Sequence, residues 1–193
     1  IACNTMAAVA AGEIRALSPV PVLDVIDAGA RCAAATGRRI GVIGTLATVS
    51  SGAYEHALHA HATGLELHAQ ACPLLVPLVE EGWLDHPVTR LTAEEYLRPL
   101  LARNIDTLVL GCTHYPLLKP LLSAVAGPAV TIIDSAETVA ARAAELLDGS
   151  GLRRKNSLPP AHRVFVTDVP QRFRTVAERF LDEPLPTINF VTL

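Results

Sequence analysis

Two cysteines stand at the mouths of short apolar runs, Ile1-Ala2-Cys3-Asn4-Thr5 and Leu108-Val109-Leu110-Gly111-Cys112-Thr113-His114-Tyr115-Pro116, each followed by small hydrogen-bonding residues. The second run is a buried-strand pattern that stops at Gly111, and the spacing beyond it predicts a helix over Tyr115–Ala126 with Pro116 in its first turn. Cys112 therefore belongs where a strand meets a helix start. Cys3 has the same setting, because the Ala-rich segment from Met6 to Leu17 carries Val9 and Ile14 at helical spacing. First-turn N–H groups present partial positive charge, which favours thiolate, the basic and nucleophilic form of cysteine. Two thiols set in this way look like two halves of one proton-transfer site, one able to take a proton as thiolate and the other to give one as thiol.

The elements that must position these residues alternate along the chain. A linker over Pro19–Ile26 leads to a helix over Ala28–Thr36, stopped by Gly37, and a strand over Arg39–Ile43. A helix over Tyr54–Thr63, a strand over Glu66–Ala71 and an apolar loop or short helix over Pro73–Glu81 follow. Thr92 with Glu95 three residues on forms a capping box, predicting a helix to Arg103. Strands over Asp106–Leu110 and Val130–Ile133, a helix over Ala136–Leu147 and a polar loop over Gly149–Pro160 come next. The chain closes with a strand over Val164–Thr167 and a helix over Pro170–Phe180. Strands separated by helices imply parallel pairing in a layered α/β fold, in which ligands gather at the carboxyl ends of strands. Both cysteine motifs fall at such ends.

Composition suits a soluble enzyme of one domain or two small lobes: 193 residues, half of them hydrophobic, with a net charge of −3. No basic stripe offers a footprint for nucleic acid. Apolar stretches are interrupted well short of a membrane span, so the cytoplasm is the expected location. The four cysteines, at 3, 32, 72 and 112, form no C-x-x-C pair and read as separate thiols in a reducing compartment. Cys32, among alanines, and Cys72, before Pro73, read as structural. His56, His59, His61 and His68 lack an accompanying carboxylate motif and read as a solvated face rather than a metal cluster. Asp134-Ser135 reads as a helix N-cap pair.

The pair Ala2-Cys3-Asn4-Thr5 and Leu108–Leu118 closely resembles the aspartate/glutamate racemase family, and within it the glutamate racemases. Gly41–Val49, Ser51–Tyr54, Ala71–Gly82, Ile132–Ser135 and the tail from His162 also match, so the resemblance covers essentially the whole chain. It implies an α/β fold of two pseudo-symmetric lobes with mainly parallel sheets, one cysteine from each and substrate between them. In this chain the second lobe would span residues 26–134, and residues 1–25 and 135–193 would be what is present of the first. The family pattern begins with an Asp-Ser-Gly loop and a Tyr-Gly pair that these 193 residues do not contain. An N-terminally truncated racemase is therefore the expectation, and with it a polypeptide that alone is poorly soluble or partly unfolded and without measurable racemization.

Further implications follow residue by residue. Cys3 and Cys112 would act on opposite enantiomers of glutamate. Asn4, Thr5, Thr113, His114 and, less directly, Thr48 match substrate-contacting positions, while His114 and Glu80, or its neighbour Glu81, would assist proton transfer beside Cys112. The resemblance implies no cofactor and no metal, a small-molecule substrate, no nucleic-acid or membrane partner, a homodimer when full length, and a supply of D-glutamate for peptidoglycan synthesis. A pyridoxal-phosphate racemase would need a Schiff-base lysine, and Lys119 and Lys155 lie in no suitable motif. A two-thiol racemase of aspartate or hydantoin, or a non-catalytic ligand-binding fragment, are the other readings.

Overall fold

The computed structural model describes residues 1–155, 162–168 and 170–192. It comprises two compact units, Ile1–Arg153 and Arg154–Leu193. Residues 1–25 and 135–153, assigned above to the first lobe, lie in the same unit as 26–134.

Unit one opens with α1 (Asn4–Leu17) and α2 (Val25–Thr36), followed by β1 (Arg39–Gly44), α3 (Leu46–Ser50), α4 (Ala53–His61) and β2 (Glu66–Ala71). Next come α5 (Leu75–Glu80), α6 (Pro87–Leu101), β3 (Thr107–Gly111), a 3-10 turn (Tyr115–Leu118), α7 (Lys119–Ala126), β4 (Thr131–Asp134) and α8 (Ser135–Gly149). The four strands form one parallel sheet in the order β2-β1-β3-β4. Its two central strands, RIGVIG and TLVLG, are buried along almost their whole length, as parallel strands covered on both faces must be. Alternation along them feeds two cores. Ile43, Leu108 and Leu110 point to one face with Leu75, Val79, Leu97 and Leu122, whereas Ile40, Val42 and Val109 point to the other with Val25, Ala30, Ala33 and Leu58.

Several boundaries differ from the sequence expectation, each for a local reason. α2 starts at Val25, not Ala28, because the buried Asp24 carboxylate caps it, accepting from the Ile26 and Asp27 N–H groups at 2.8 and 3.0 Å while pairing with Arg15. α6 starts at Pro87, not Thr92. His86 Nδ1 accepts from the Val88 N–H at 3.2 Å, Pro87 takes a first-turn place where no N–H is needed, and Thr92 turns its hydroxyl back to the Val88 carbonyl as an interior residue. The single helix expected over Tyr115–Ala126 is divided: Pro120 has no N–H to give the Pro116 carbonyl, which takes the Lys119 N–H instead and tightens the turn. α3, capped by Thr45, was not foreseen.

Unit two is a small βαβ arrangement in which β5 (Val164–Val166) and β6 (Ile188–Phe190) pair in parallel and α9 (Pro170–Leu181) lies between them in sequence. The sequence anticipates β5 and α9 but not β6. Of the polar loop expected over Gly149–Pro160, residues 156–160 lie outside the described residues. No helix among the described residues is long and apolar enough to cross a membrane.

Candidate active site

The carboxyl ends of β1, β2 and β3 are level, since Gly44 pairs in register with both Ala71 and Gly111. The turns leaving these ends carry Thr45 and Thr48, Cys72, and Cys112-Thr113-His114. The first turn of α1 comes to the same end. Cys3 is its N-cap residue, and the Thr5 hydroxyl lies 2.9 Å from that of Thr45 and 3.4 Å from that of Thr48, with Thr45 and Thr48 3.0 Å apart. Asn4, 1% exposed, donates through Nδ2 to the Tyr54 hydroxyl at 2.9 Å. Its Oδ1 is buried with no hydrogen-bond partner among the described residues. A buried polar atom in that condition costs on the order of 1–3 kcal/mol, and such atoms concentrate at functional sites.

Both thiols stand at this end of the sheet, Cys3 as the N-cap of α1 and Cys112 directly after β3. Cys112 is 4% exposed, and its pKa rises from the ordinary 9.0 to about 11. Burial is the main cause and the charge of Cys3 adds to it, against the His114 and Tyr115 N–H groups and the Thr113 side chain, which favour thiolate. This corrects the expectation from helix-start position: the first-turn donors are present at Cys112, but desolvation outweighs them, so the resting group is a neutral thiol. Cys112 Sγ lies 3.9 Å from His114 Nδ1, and His114 Nε2 lies 3.3 Å from Glu80 Oε1. A proton can thus pass between the thiol and a carboxylate through one imidazole. Of the two adjacent acids, Glu80 makes this contact; Glu81 is the exposed C-cap of α5.

Tyr115, fully buried, donates its hydroxyl to the Cys72 carbonyl at 2.9 Å and its N–H to the Cys112 carbonyl at 3.1 Å, tying the turn after β2 to the turn after β3. Cys72 is buried, and desolvation lifts its pKa to about 12. Cys32 is half-buried on α2. The histidines hold no metal constellation among the described residues: His61 pairs with Asp27 at 2.9 Å and His68 with Glu66 at 2.8 Å. Asp134 caps α8, and Ser135 donates to the Leu110 carbonyl at 3.1 Å. Sequence reasoning did not single out Thr45 or Tyr54. Both lie in matched segments, and the T-x-x-T spacing of Thr45 and Thr48 was the available signal, since a helix-capping threonine presents its hydroxyl to the residue three further on.

Residues 1–143 match the family model described as Asp/Glu/Hydantoin racemase, and the chain belongs to that family. Its similar relatives are more specific. The chain is 60% identical over 195 residues to the glutamate racemase of Syntrophus aciditrophicus (strain SB), covering 100% of this chain and 72% of that protein. Among solved structures, a glutamate racemase isoform from Bacillus anthracis superimposes with a TM-score of 0.90 at 39% identity, over 99% of this chain and 71% of that one. The glutamate racemase from Francisella tularensis subsp. tularensis SCHU S4, solved in complex with D-glutamate, gives a TM-score of 0.90 at 34% identity over 98% and 71%.

Proposed function

We propose that this chain carries the chemistry of cofactor-independent interconversion of L- and D-glutamate, with Cys3 and Cys112 as the two proton-transfer groups. The observation that carries the reading is the convergence of both cysteine turns on one end of the sheet, where Gly44 pairs with Gly111 beside Cys112 and Thr5, two residues after Cys3, meets Thr45 and Thr48 just beyond Gly44. In one direction the Cys3 thiolate takes the proton from Cα as the C–H bond breaks, and the electron pair left on carbon spreads into the adjoining carboxylate. Cys112, held as a neutral thiol by burial, then gives its proton to the opposite face of Cα. Cys3 ends as thiol and Cys112 as thiolate. In the other direction Cys112 must first lose its proton, and His114 backed by Glu80 is the route for it. Asn4, Thr5, Thr48 and Thr113 are the groups to hold the substrate ammonium and carboxylates. The family resemblance extends the reading to a cytoplasmic homodimer that supplies D-glutamate for peptidoglycan synthesis.

The test is incubation of the full-length protein that carries this chain with each glutamate enantiomer in D2O, followed by circular dichroism and proton NMR. Loss of optical activity with deuterium at Cα of the inverted product, insensitive to chelator and independent of added pyridoxal phosphate, is the expected outcome. Activity abolished by chelator, or dependent on pyridoxal phosphate, would sink the two-thiol assignment.

A further inference from the structure

Tyr54 is 3% exposed and touches both halves of the site. Gly52, with φ of +67°, lets the chain turn from α3 into α4 so that Tyr54 points inward at the first turn of α4. Its hydroxyl accepts from Asn4 Nδ2 at 2.9 Å, one residue beyond Cys3. Its ring lies over Gly111, one residue before Cys112: a methyl built on Gly111 would stand 3.0 Å from Tyr54 Cε2. The first turn of the helix that carries Cys3 is also tied by the Thr5 hydroxyl to Thr45 and Thr48, and just before it the Val25 N–H donates to the Ile1 carbonyl at 3.2 Å. Ala7 and Ala11 are its buried apolar residues, whereas Met6, Val9 and Leu17 on the same helix are exposed. An alanine methyl buries little surface, so polar ties at the first turn decide where Cys3 stands. The Asn4–Tyr54 bond is the buried one of these ties.

We infer that Tyr54 is a positioning residue that sets the spacing of the two thiols, its hydroxyl holding the turn of Cys3 while its ring bears on the turn of Cys112. The inference rests on the two-thiol reading above and goes beyond it in naming what holds the pair in line. Tyr54→Phe keeps the ring on Gly111 and releases Asn4. Inversion needs both thiols in line across Cα, whereas exchange of the Cα hydrogen with retention needs only one. A slackened Cys3 therefore lowers inversion more than exchange.

The experiment compares wild type, Tyr54→Phe, Asn4→Ala and the double variant, all in the full-length protein, each with D- and L-glutamate in D2O. Deuterium in the recovered starting enantiomer and deuterium in the inverted product are followed separately, and thermal unfolding is recorded beside them. For Tyr54→Phe we expect inversion to fall about tenfold, the scale of one lost hydrogen bond, and the ratio of retained exchange to inversion to rise by a similar factor. On the Asn4→Ala background Tyr54→Phe should leave that ratio where Asn4→Ala alone puts it. A variant that is merely less folded loses both processes in proportion, so an unchanged ratio overturns the inference. Independent, multiplying effects of the two substitutions overturn it as well. Wild-type protein that inverts neither enantiomer instead overturns the two-thiol reading, and this inference with it.

Discussion

Replacing Gly111 with alanine should damage both stability and turnover, because the added methyl would press on backbone rather than on a side chain. Gly111 closes β3 opposite Gly44. A Cβ at this position would stand 2.7 Å from the Ile43 carbonyl oxygen, 3.0 Å from Tyr54 Cε2 and 3.3 Å from Val42 Cγ1. Carbon and carbonyl oxygen normally approach no closer than about 3.3 Å, so the ends of β1 and β3 must part by roughly 0.6 Å. No rotamer change can relieve the Ile43 contact. Overpacking of this kind costs about 1–3 kcal/mol, which for a unit of this size lowers the melting temperature by about 2–4 °C per kcal/mol. Cys112 follows directly, and a displacement of about half an ångström at a reacting group corresponds to a roughly tenfold loss of rate, given that about 1 Å costs a hundredfold. Gly12→Ala serves as the matched control. Gly12 lies in mid-helix in α1 with nothing within 4 Å of an added methyl, so there the same substitution should stabilise by about 0.5–1 kcal/mol. Thermal melts read against racemization rates decide the matter: a Gly111→Ala protein that melts at or above wild type with undiminished turnover refutes the crowding argument.

Other expectations follow from the same geometry. In the full-length protein, Cys3→Ser and Cys112→Ser should each block racemization while Cys32→Ser retains it, and inversion surviving in either of the first two would remove the assignment. Glu80→Gln should slow racemization about tenfold or more by weakening the relay behind Cys112, whereas Glu81→Gln should not; equal rates in the two variants would count against the relay. Burial raises the Cys112 and Cys72 pKa values from 9.0 to about 11 and about 12, so the neutral thiols are the forms the fold favours. The stability this contributes is fully present below pH 9 and is lost as pH rises through those values. Urea midpoints should therefore fall between pH 8 and 10.5, less steeply in Cys72→Ala, and a flat profile would contradict the burial effect.

The layered fold was legible because its signals are strong where burial is complete. The central strands read directly from unbroken apolar runs, and Glu66–Ala71 was located to the residue. What escaped were starts and breaks governed by single side chains. Asp24 sits in a Pro-rich stretch that reads as linker, and its role appears only with its cap and its Arg15 partner in place. Thr92-x-x-Glu95 satisfies the capping pattern in the middle of a helix that Pro87 had already begun. In the site, the convergence of residues 3–5 with 112–114 came from motif resemblance; no local spacing rule brings them together across some 110 residues of chain. The direction of the Cys112 pKa shift depends on how much water the folded protein excludes, which helix position alone does not reveal.

The unequal mounting of the two cysteines has a kinetic consequence. β3, which delivers Cys112, is buried at all five positions between two cores, so its amides can exchange with solvent only when the unit unfolds as a whole. α1, which Cys3 caps, buries Asn4, Ala7 and Ala11 alone among its residues, so its amides are expected to open locally at smaller free energy. Cys112 is thus built into the frame of the unit, whereas Cys3 stands at the start of a helix with few buried residues. A thiol reagent present in small excess should therefore meet the half-buried Cys3 well before the buried Cys112, so chemical inactivation would proceed through one cysteine of the proposed pair.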